Sequence, residues 1–315
     1  MRPGNTLEHH SSAPGFAARM RIYFAEMFPL PTHLLVAVGM FGSLASFVAR
    51  TTGVEPALLS WRGLAGIWTV FDVFLILRLM DDLKDRDIDR VLFPARPLPS
   101  GRVRESDIRG ALAAAIAAYL AVALPFGVAF WSALAVLAYL LLMFRLFFVP
   151  GLLRASLPLS VATHAPIVPL LLAHCTVLYA GTSGMSLASV RWRFVVPFVI
   201  ALWTAMEAWE VGRKIRAPAD ETEYVTYSRL LGVRGAVSVS IVLRTVAAAV
   251  AIGLGFIVGG SAIQIVLTAV GYGLALAMDL RFVARPSYET CRCRAAAELF
   301  GALFLLAQLL GYGPV

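Results

Sequence analysis

Charge is what this sequence has least of. Asp, Glu, Lys and Arg make up 15% of its 315 residues, while 59% are apolar and the mean hydropathy is +0.79. An ordinary soluble domain is about 25% charged and about 45–50% apolar. The deficit excludes a disordered chain, a collagen-like repeat and a solvated globule of ordinary surface, and it points to a membrane protein. Cysteine is scarce too. Cys175, Cys291 and Cys293 are an odd number in a chain with no signal-peptide pattern, so no disulfide framework is expected. The Cys-x-Cys pair lacks the second pair or nearby histidine that four zinc ligands need, so free thiols are expected. Internal repeats and low-complexity linkers are absent as well.

What is present is apolar sequence in runs long enough to cross about 30 Å of hydrocarbon, which takes roughly 20 helical residues. Nine such runs are expected, near 30–49, 63–80, 108–125, 128–148, 155–179, 194–212, 235–258, 262–280 and 294–312. The fold class expected is therefore all-α, a polytopic bundle of nine transmembrane helices with a central cavity opening near the cytoplasmic face. Residues 1–29 form a polar tail followed by Phe16–Phe28, whose mixed faces suit a helix lying at the membrane interface. Residues 30–315 read as one transmembrane domain.

The net charge of +8 and a pI near 9.8 would suggest nucleic acid as a partner of a soluble protein. The bases are not spread at random, however. The N-terminal tail and the loops after spans 2, 4, 6 and 8 carry 21 of the 27 Lys and Arg residues. The alternate side carries only Arg50, Arg62, Arg191 and Arg193, with Arg78 and Arg244 inside spans. By the positive-inside rule this is an integral multi-pass protein of the inner or plasma membrane, N-terminus cytoplasmic and C-terminus outside. The basic excess then reports topology, and the partner expected is the lipid bilayer rather than nucleic acid.

The acids are gathered as well. Span 2 ends in Arg78-Leu-Met-Asp-Asp-Leu-Lys-Asp-Arg-Asp-Ile-Asp-Arg90. At about 100° per residue, Asp81, Asp82, Asp85 and Asp89 share a narrow helix face with Arg78, and Asp87 points away. Like charges on one stripe destabilise an isolated helix. Mg2+ would repay that cost, since it takes hard oxygen ligands and is held by a few carboxylates plus substrate phosphates. The competing reading is a solvated helix end neutralised by Lys84, Arg86 and Arg90.

Span 6 leads into a second polar stretch. Glu207 and Glu210 share a helix side, followed by Arg213, Lys214 and Arg216, then Asp220, Glu221 and Glu223. Acids to hold metal, flanked by bases to hold phosphate, are what a diphosphate-binding mouth requires. A plain charged surface loop would look similar.

At these residues the chain resembles the UbiA superfamily of intramembrane prenyltransferases. The run Asp81-Asp-Leu-Lys-Asp-Arg-Asp-Ile-Asp89 is similar to that family's Asn-Asp-x-x-Asp-x-x-x-Asp motif, and Ala95-Arg-Pro-Leu-Pro-Ser-Gly-Arg102 to its Asn-Arg-Pro-Leu-Pro-Ser-Gly tail. The resemblance places Asp82, Asp85 and Asp89 at the motif acids, Asp81 at its usual Asn and Arg96 at the tail Arg. The family's second motif, Asp-x-x-x-Asp, falls on Ala217 and Glu221, so one acid is missing. Glu210 stands where many members have an acid upstream, and Asp220 adjoins Glu221. Thr226-Tyr227-Ser228 resembles the hydroxyl-bearing segment that follows, and Tyr139 and Arg145 loosely resemble a Tyr-Pro-x-x-Lys-Arg segment. Phe93-Pro94 replaces the usual Lys before the tail. These departures mark a divergent branch.

The resemblance implies Mg2+-dependent transfer of a prenyl group from an isoprenoid diphosphate to an aromatic or other lipophilic acceptor. Asp81, Asp82, Asp85, Asp89, Glu210, Asp220 and Glu221 would be metal ligands, and Asp82, Asp85 and Lys214 catalytic groups. Arg78, Arg96, Arg213, Tyr139, Arg145, Tyr227 and Ser228 would bind substrate. Trp68, Phe71, Phe74, Trp203 and Trp209 are candidates to line the cavity and face an allylic cation. A terpene cyclase on the same scaffold, acting without an external acceptor, would need the same acids. A transporter would handle cations with an acidic stripe, but paired repeats with interrupted spans are lacking.

Other ionisable groups fall inside spans, where they call for a function or a partner. Asp72 is expected to contact an acceptor or pair with Arg244. Asp279 and Glu298 are expected to pair with Arg281 and Arg294, and His164 and His174 to bond a neighbouring helix or an acceptor. His9, His10 and His33 carry no expectation.

Overall fold

In a bilayer every backbone N–H and C=O of a lipid-exposed segment must be satisfied within the segment, so long apolar runs become helices. The computed structural model describes residues 14–54, 58–222 and 225–312, and among these it contains helices and turns but no strand. The helices are α1 Phe16–Glu26, α2 Leu30–Thr52, α3 Trp61–Lys84, α4 Arg86–Leu92, α5 Glu105–Ala123, α6 Val128–Phe144 and α7 Pro150–Ala155. After them come α8 Leu157–His164, α9 Ile167–Thr182, α10 Trp192–Gly212, α11 Tyr227–Val258, α12 Ala262–Ala284 and α13 Cys293–Gly311.

All nine expected spans are found among the described residues. Eight are long and apolar enough to cross a membrane, with α8 and α9 together making one of them. The ninth, α6, has 17 apolar residues, or roughly 26 Å at 1.5 Å per residue.

Two spans differ from the expectation. Span 4 was expected to run to residue 148, but the helix stops at Phe144 and Leu146, Phe147 and Phe148 take φ of 48°, 50° and 60°. A side chain in that left-handed region crowds the backbone at a cost of about 1–2 kcal/mol per residue, and the turn redirects the chain into α7. Span 5 is interrupted at Ala165-Pro166 between α8 and α9. Pro166 has no N–H to donate to the helix ladder.

The core is built by close apposition of the spans. Phe47 of α2 stacks on Phe198 of α10 with centroids 4.0 Å apart, and Tyr312 meets Phe47 edge-on at 5.0 Å. Gly66 of α3 makes room for Phe41 of α2, because a Cβ at Gly66 would stand 2.0 Å from the Phe41 ring. Arg50, at the end of α2, donates to the carbonyls of Val258 at 3.3 Å and Gly259 at 2.8 Å, at the end of α11. These two helix ends therefore lie at the same end of the bundle, as alternating crossings require.

Several buried polar groups inside the bundle bond from helix to helix. Gln264 of α12 donates to the Ala251 carbonyl at 2.9 Å and to Gln308 at 3.1 Å, and Gln308 donates to Thr268 at 3.0 Å. His174 of α9 bonds Ser132 of α6 at 2.7 Å, which fulfils the helix-to-helix expectation. Arg294 and Glu298 pair at 2.8 Å as expected. Two other expectations are corrected. Arg244 of α11 pairs with Asp279 of α12, not with Asp72, and Asp279 is taken by Arg244 rather than Arg281. A residue inside the bundle takes the donor on the facing helix, because a neighbour two positions along its own helix points elsewhere.

Both side chains of the Arg244–Asp279 pair are 1% exposed. Removing one partner strands a buried charge, at a cost of about 3–5 kcal/mol, whereas an apolar replacement of both is tolerated far better. Arg244→Leu should therefore lower the melting temperature sharply, and Arg244→Leu with Asp279→Leu should recover most of the loss in the same thermal scan.

Candidate active site

Helix α3 ends at Lys84 and α4 begins at Arg86, with Asp85 between them at φ −100°, ψ 8°. The bonds from Asp85 N to the Asp81 carbonyl at 2.9 Å and from Asp89 N to the Asp85 carbonyl at 2.8 Å carry the helical register across the break. Asp82 and Asp89 are therefore buried, Asp81 and Asp85 are half-buried, and Asp87 is exposed and pairs loosely with Arg86 and Arg90 at 3.5 Å.

Each of these carboxylates finds a different partner. Arg78, one turn earlier, donates to Asp82 Oδ1 at 2.5 Å. Lys84 donates to Asp81 at 2.7 Å, and Arg96 Nη1 donates to both oxygens of Asp89 at 2.8 Å. Among the described residues the Asp85 side chain has no hydrogen bond or ion pair. Phe93, which stands near the position of the usual Lys, lies under the Arg96 guanidinium at 3.9 Å. The aromatic face thus holds Arg96 against Asp89 by cation–π attraction.

The second oxygen of Asp82 is taken from outside the bundle. Tyr23, on α1, donates its hydroxyl to Asp82 Oδ2 at 2.6 Å and is fully buried. Burial and the Asp82 charge push the Tyr23 hydroxyl well above the usual tyrosine range, so it remains a donor. Arg19, one turn before Tyr23, forks onto Asp107 of α5 at 2.6 and 2.7 Å. Sequence reasoning gave α1 an interfacial role and missed this contact. The available signal was the polar spacing Arg19, Tyr23, Glu26, which lies on one helix face.

In the second region Glu210 is held by Arg213 at 2.6 Å and Lys214 at 2.8 Å. Arg213 also lies over Trp209 at 5.3 Å. Glu221 accepts from Thr226 at 2.7 Å and Ser228 at 2.5 Å, while Ser228 accepts from the Arg216 N–H at 2.8 Å. That network folds the loop back onto the start of α11. Tyr227 is buried there, Asp220 is exposed, and Glu223 lies outside the described residues. Glu207 accepts from Trp203 at 3.1 Å.

His164 stands at the end of α8, where span 5 is interrupted. Its imidazole is within electrostatic reach of Lys84 and Asp81 from the first region and Lys214 from the second. Its Nδ1 bonds the Ser160 carbonyl at 2.7 Å, and its ring meets Phe147 edge-on at 5.9 Å. Arg154 of α7 faces Asp85 in the same way. Neither His164's position between the regions nor Arg154's is written in residue spacing, since both depend on how α7 and α8 return to the bundle.

The remaining expected residues sit further out or are committed to the fold. Tyr139 donates to the Thr163 carbonyl at 2.8 Å, tying α6 to α8, and Arg145 is exposed at the end of α6. Trp68 is exposed, Phe71 packs against Phe28 at 5.4 Å, and Phe74, Trp203 and Trp209 are half-buried. Asp72 is fully buried with neither oxygen hydrogen-bonded, so it contacts no arginine.

Among the described residues no three His, Cys, Asp or Glu side chains converge closely enough to hold a metal. The donor chemistry nevertheless suits a hard divalent cation. Asp85 carries a free carboxylate, and Asp81 and Asp89 both press on it. Clustered carboxylates are the donor type that a hard divalent cation takes together with substrate phosphates, and here Lys84 and Arg154 supply the positive charge nearest Asp85.

No protein-family profile matches the sequence, and no curated protein is detectably similar to it. Two solved structures share its fold. A digeranylgeranylglyceryl phosphate synthase superposes with a TM-score of 0.59 at 17% identity over 94% of this chain and 99% of its own. The apo form of a UbiA homologue from Aeropyrum pernix K1 gives 0.61 at 22% identity over 85% of this chain and 97% of its own. The chain therefore has the fold of these membrane proteins along nearly its whole length.

The Asp85 carboxyl is raised above the usual range, chiefly by burial and then by Asp81 and Asp89, against the pull of Lys84 and Arg154. An acid whose folded pKa lies above its unfolded value, about 3.9 for Asp, binds its proton more tightly in the native state. Stability contributed by the protonated form is then lost as pH rises from the unfolded value through the folded one. Without divalent cations, Asp85→Asn should melt higher than the parent at neutral pH and no higher below pH about 4. Differential scanning fluorimetry across pH checks both arms.

Proposed function

We propose that this chain is a Mg2+-dependent intramembrane prenyltransferase, with residues 30–315 as its functional domain and its acidic mouth at the cytoplasmic face. It would move a prenyl group from an isoprenoid diphosphate to an aromatic or other lipophilic acceptor. The observation that supports this most is the Asp81–Asp89 run, with an uncommitted Asp85 between Asp81 and Asp89, on the fold of a UbiA homologue and of a digeranylgeranylglyceryl phosphate synthase.

In this reading the allylic C–O bond breaks and diphosphate leaves with the electron pair. The acceptor then forms the new bond to the prenyl carbon and gives up a proton. Asp81, Asp82, Asp85 and Asp89, with Glu210, Asp220 and Glu221 on the second side, would hold Mg2+, which would supply Lewis-acid stabilisation of the leaving group. Arg96, Arg213 and Lys214 are now paired with Asp89 and Glu210. Their charge-assisted donors can turn to diphosphate oxygens when a substrate competes for them. Arg78 orients Asp82, and Tyr139, Arg145, Tyr227 and Ser228 are assigned to the substrate side. The apolar bundle keeps water from the cation.

The test is turnover by purified protein with Mg2+, farnesyl or geranylgeranyl diphosphate, and candidate phenol or quinone-precursor acceptors, read by product mass spectrometry. Asp82→Asn with Asp85→Asn should fold, insert and release diphosphate at least a hundredfold more slowly. Undiminished Mg2+-dependent turnover by that variant would sink the assignment. Prenyl product formed only when acceptor is present supports transfer, and a released terpene without acceptor makes the chain a cyclase.

A further inference from the structure

Helix α1 lies outside the membrane bundle, yet one of its faces is committed to the acidic mouth. Arg19, Tyr23 and Glu26 follow at intervals of four and three, which aligns them on a single side. Arg19 forks onto Asp107 at 2.6 and 2.7 Å, and Asp107 is itself fixed by the Arg104 N–H at 3.0 Å. Glu26 takes a fork from Arg102, 2.8 Å on its second oxygen, and Arg102 also donates to the Ala95 carbonyl at 2.6 Å. Between these two clamps Tyr23 reaches Asp82 Oδ2 at 2.6 Å. The opposite side, with Ala17, Ala18 and Arg21, is exposed.

We propose that Tyr23 is a positioning residue that holds the Asp82 carboxylate in the orientation a divalent cation needs, with the Arg19–Asp107 and Glu26–Arg102 pairs clamping α1 across the mouth. Arg78 cannot do this alone, because it sits on the same helix as Asp82 and secures only Oδ1. A bond of 2.6 Å from a hydroxyl to a carboxylate falls in the charge-assisted range. A carboxylate has about four acceptor sites, so Oδ2 keeps a lone pair for metal while accepting from Tyr23. Groups that hold a ligating carboxylate from behind typically contribute about 10–100-fold in metal affinity. The inference rests on the reading of the acidic run as a metal-binding mouth.

Mn2+ binding to the full-length purified protein, followed by electron paramagnetic resonance without substrate, tests it independently of turnover. Tyr23→Phe keeps the buried ring and removes only the hydroxyl. It should bind Mn2+ about 10–100-fold more weakly, with a melting temperature lowered only by the loss of one donor to the buried Asp82 carboxylate. Arg19→Gln never touches Asp82 and frees α1 at one clamp, so it should weaken Mn2+ in the same direction, and it carries the test if Tyr23→Phe misfolds. The double variant should lose no more than the larger single loss, because both act through one contact. Equal Mn2+ affinity in Tyr23→Phe and the parent, or fully additive losses in the double variant, would overturn the inference. A parent protein that binds no Mn2+ overturns the inference together with the metal-site reading. Tyr23-dependent Mn2+ binding in a protein that transfers no prenyl group upholds the inference and removes only the proposed activity.

Discussion

A carboxylate buried at the end of an apolar bundle is destabilising until something donates to it, and the mouth of this protein is organised by how each carboxylate meets that demand. Asp82 takes two donors from two different helices, Asp89 takes both bonds from Arg96, and Asp81 takes Lys84. Asp85 alone has none. Each pairing ties a separate piece of chain to the end of α3: the outer helix α1 through Tyr23, the proline-rich loop through Arg96, and α3 itself through Arg78 and Lys84. One cluster of four acids thus adds polar ties between α1, the proline-rich loop and the end of α3, beside the apolar contacts that these segments make with the core.

The interior of the bundle follows the same rule by different means. Arg244 and Asp279 join α11 to α12, Gln264 and Gln308 join α12 to α13, and Ser132 and His174 join α6 to α9. These contacts join one helix to the next within the apolar interior, although among the described residues His174 Nε2, Arg244 Nη1, Gln264 Oε1 and Asp279 Oδ1 keep no hydrogen-bond partner. The acidic cluster differs because most of its donors are cationic side chains, and because one carboxylate, that of Asp85, takes no side-chain donor. That contrast separates groups that hold the bundle together from groups available for chemistry.

Much of the architecture was legible in advance because a bilayer leaves few options. Runs of about 20 apolar residues must be helices, and all nine were located from hydropathy. The two misjudged boundaries share a cause. Phe147 and Phe148 are as apolar as any span residue, and hydropathy does not register the left-handed turn they adopt. Likewise Pro166 interrupts span 5 without lowering its hydropathy. The orientation of Asp87, away from the other acids and exposed, followed from helical period alone.

The sequence by itself determined the membrane class, the nine crossings, the gathering of acids at two loops, and the face shared by Asp81, Asp82, Asp85 and Asp89, because these depend on local composition and on a period of 3.6 residues. Only the tertiary structure decided which cation each acid meets. It gave Asp279 to Arg244, left Asp72 unpaired, brought His164 within the fields of Asp81, Lys84 and Lys214, and sent Tyr23 across 59 positions to Asp82. Partner choice between distant segments is a property of packing. A helix face can be read from spacing, but the neighbour it meets is set by how the other helices close around it.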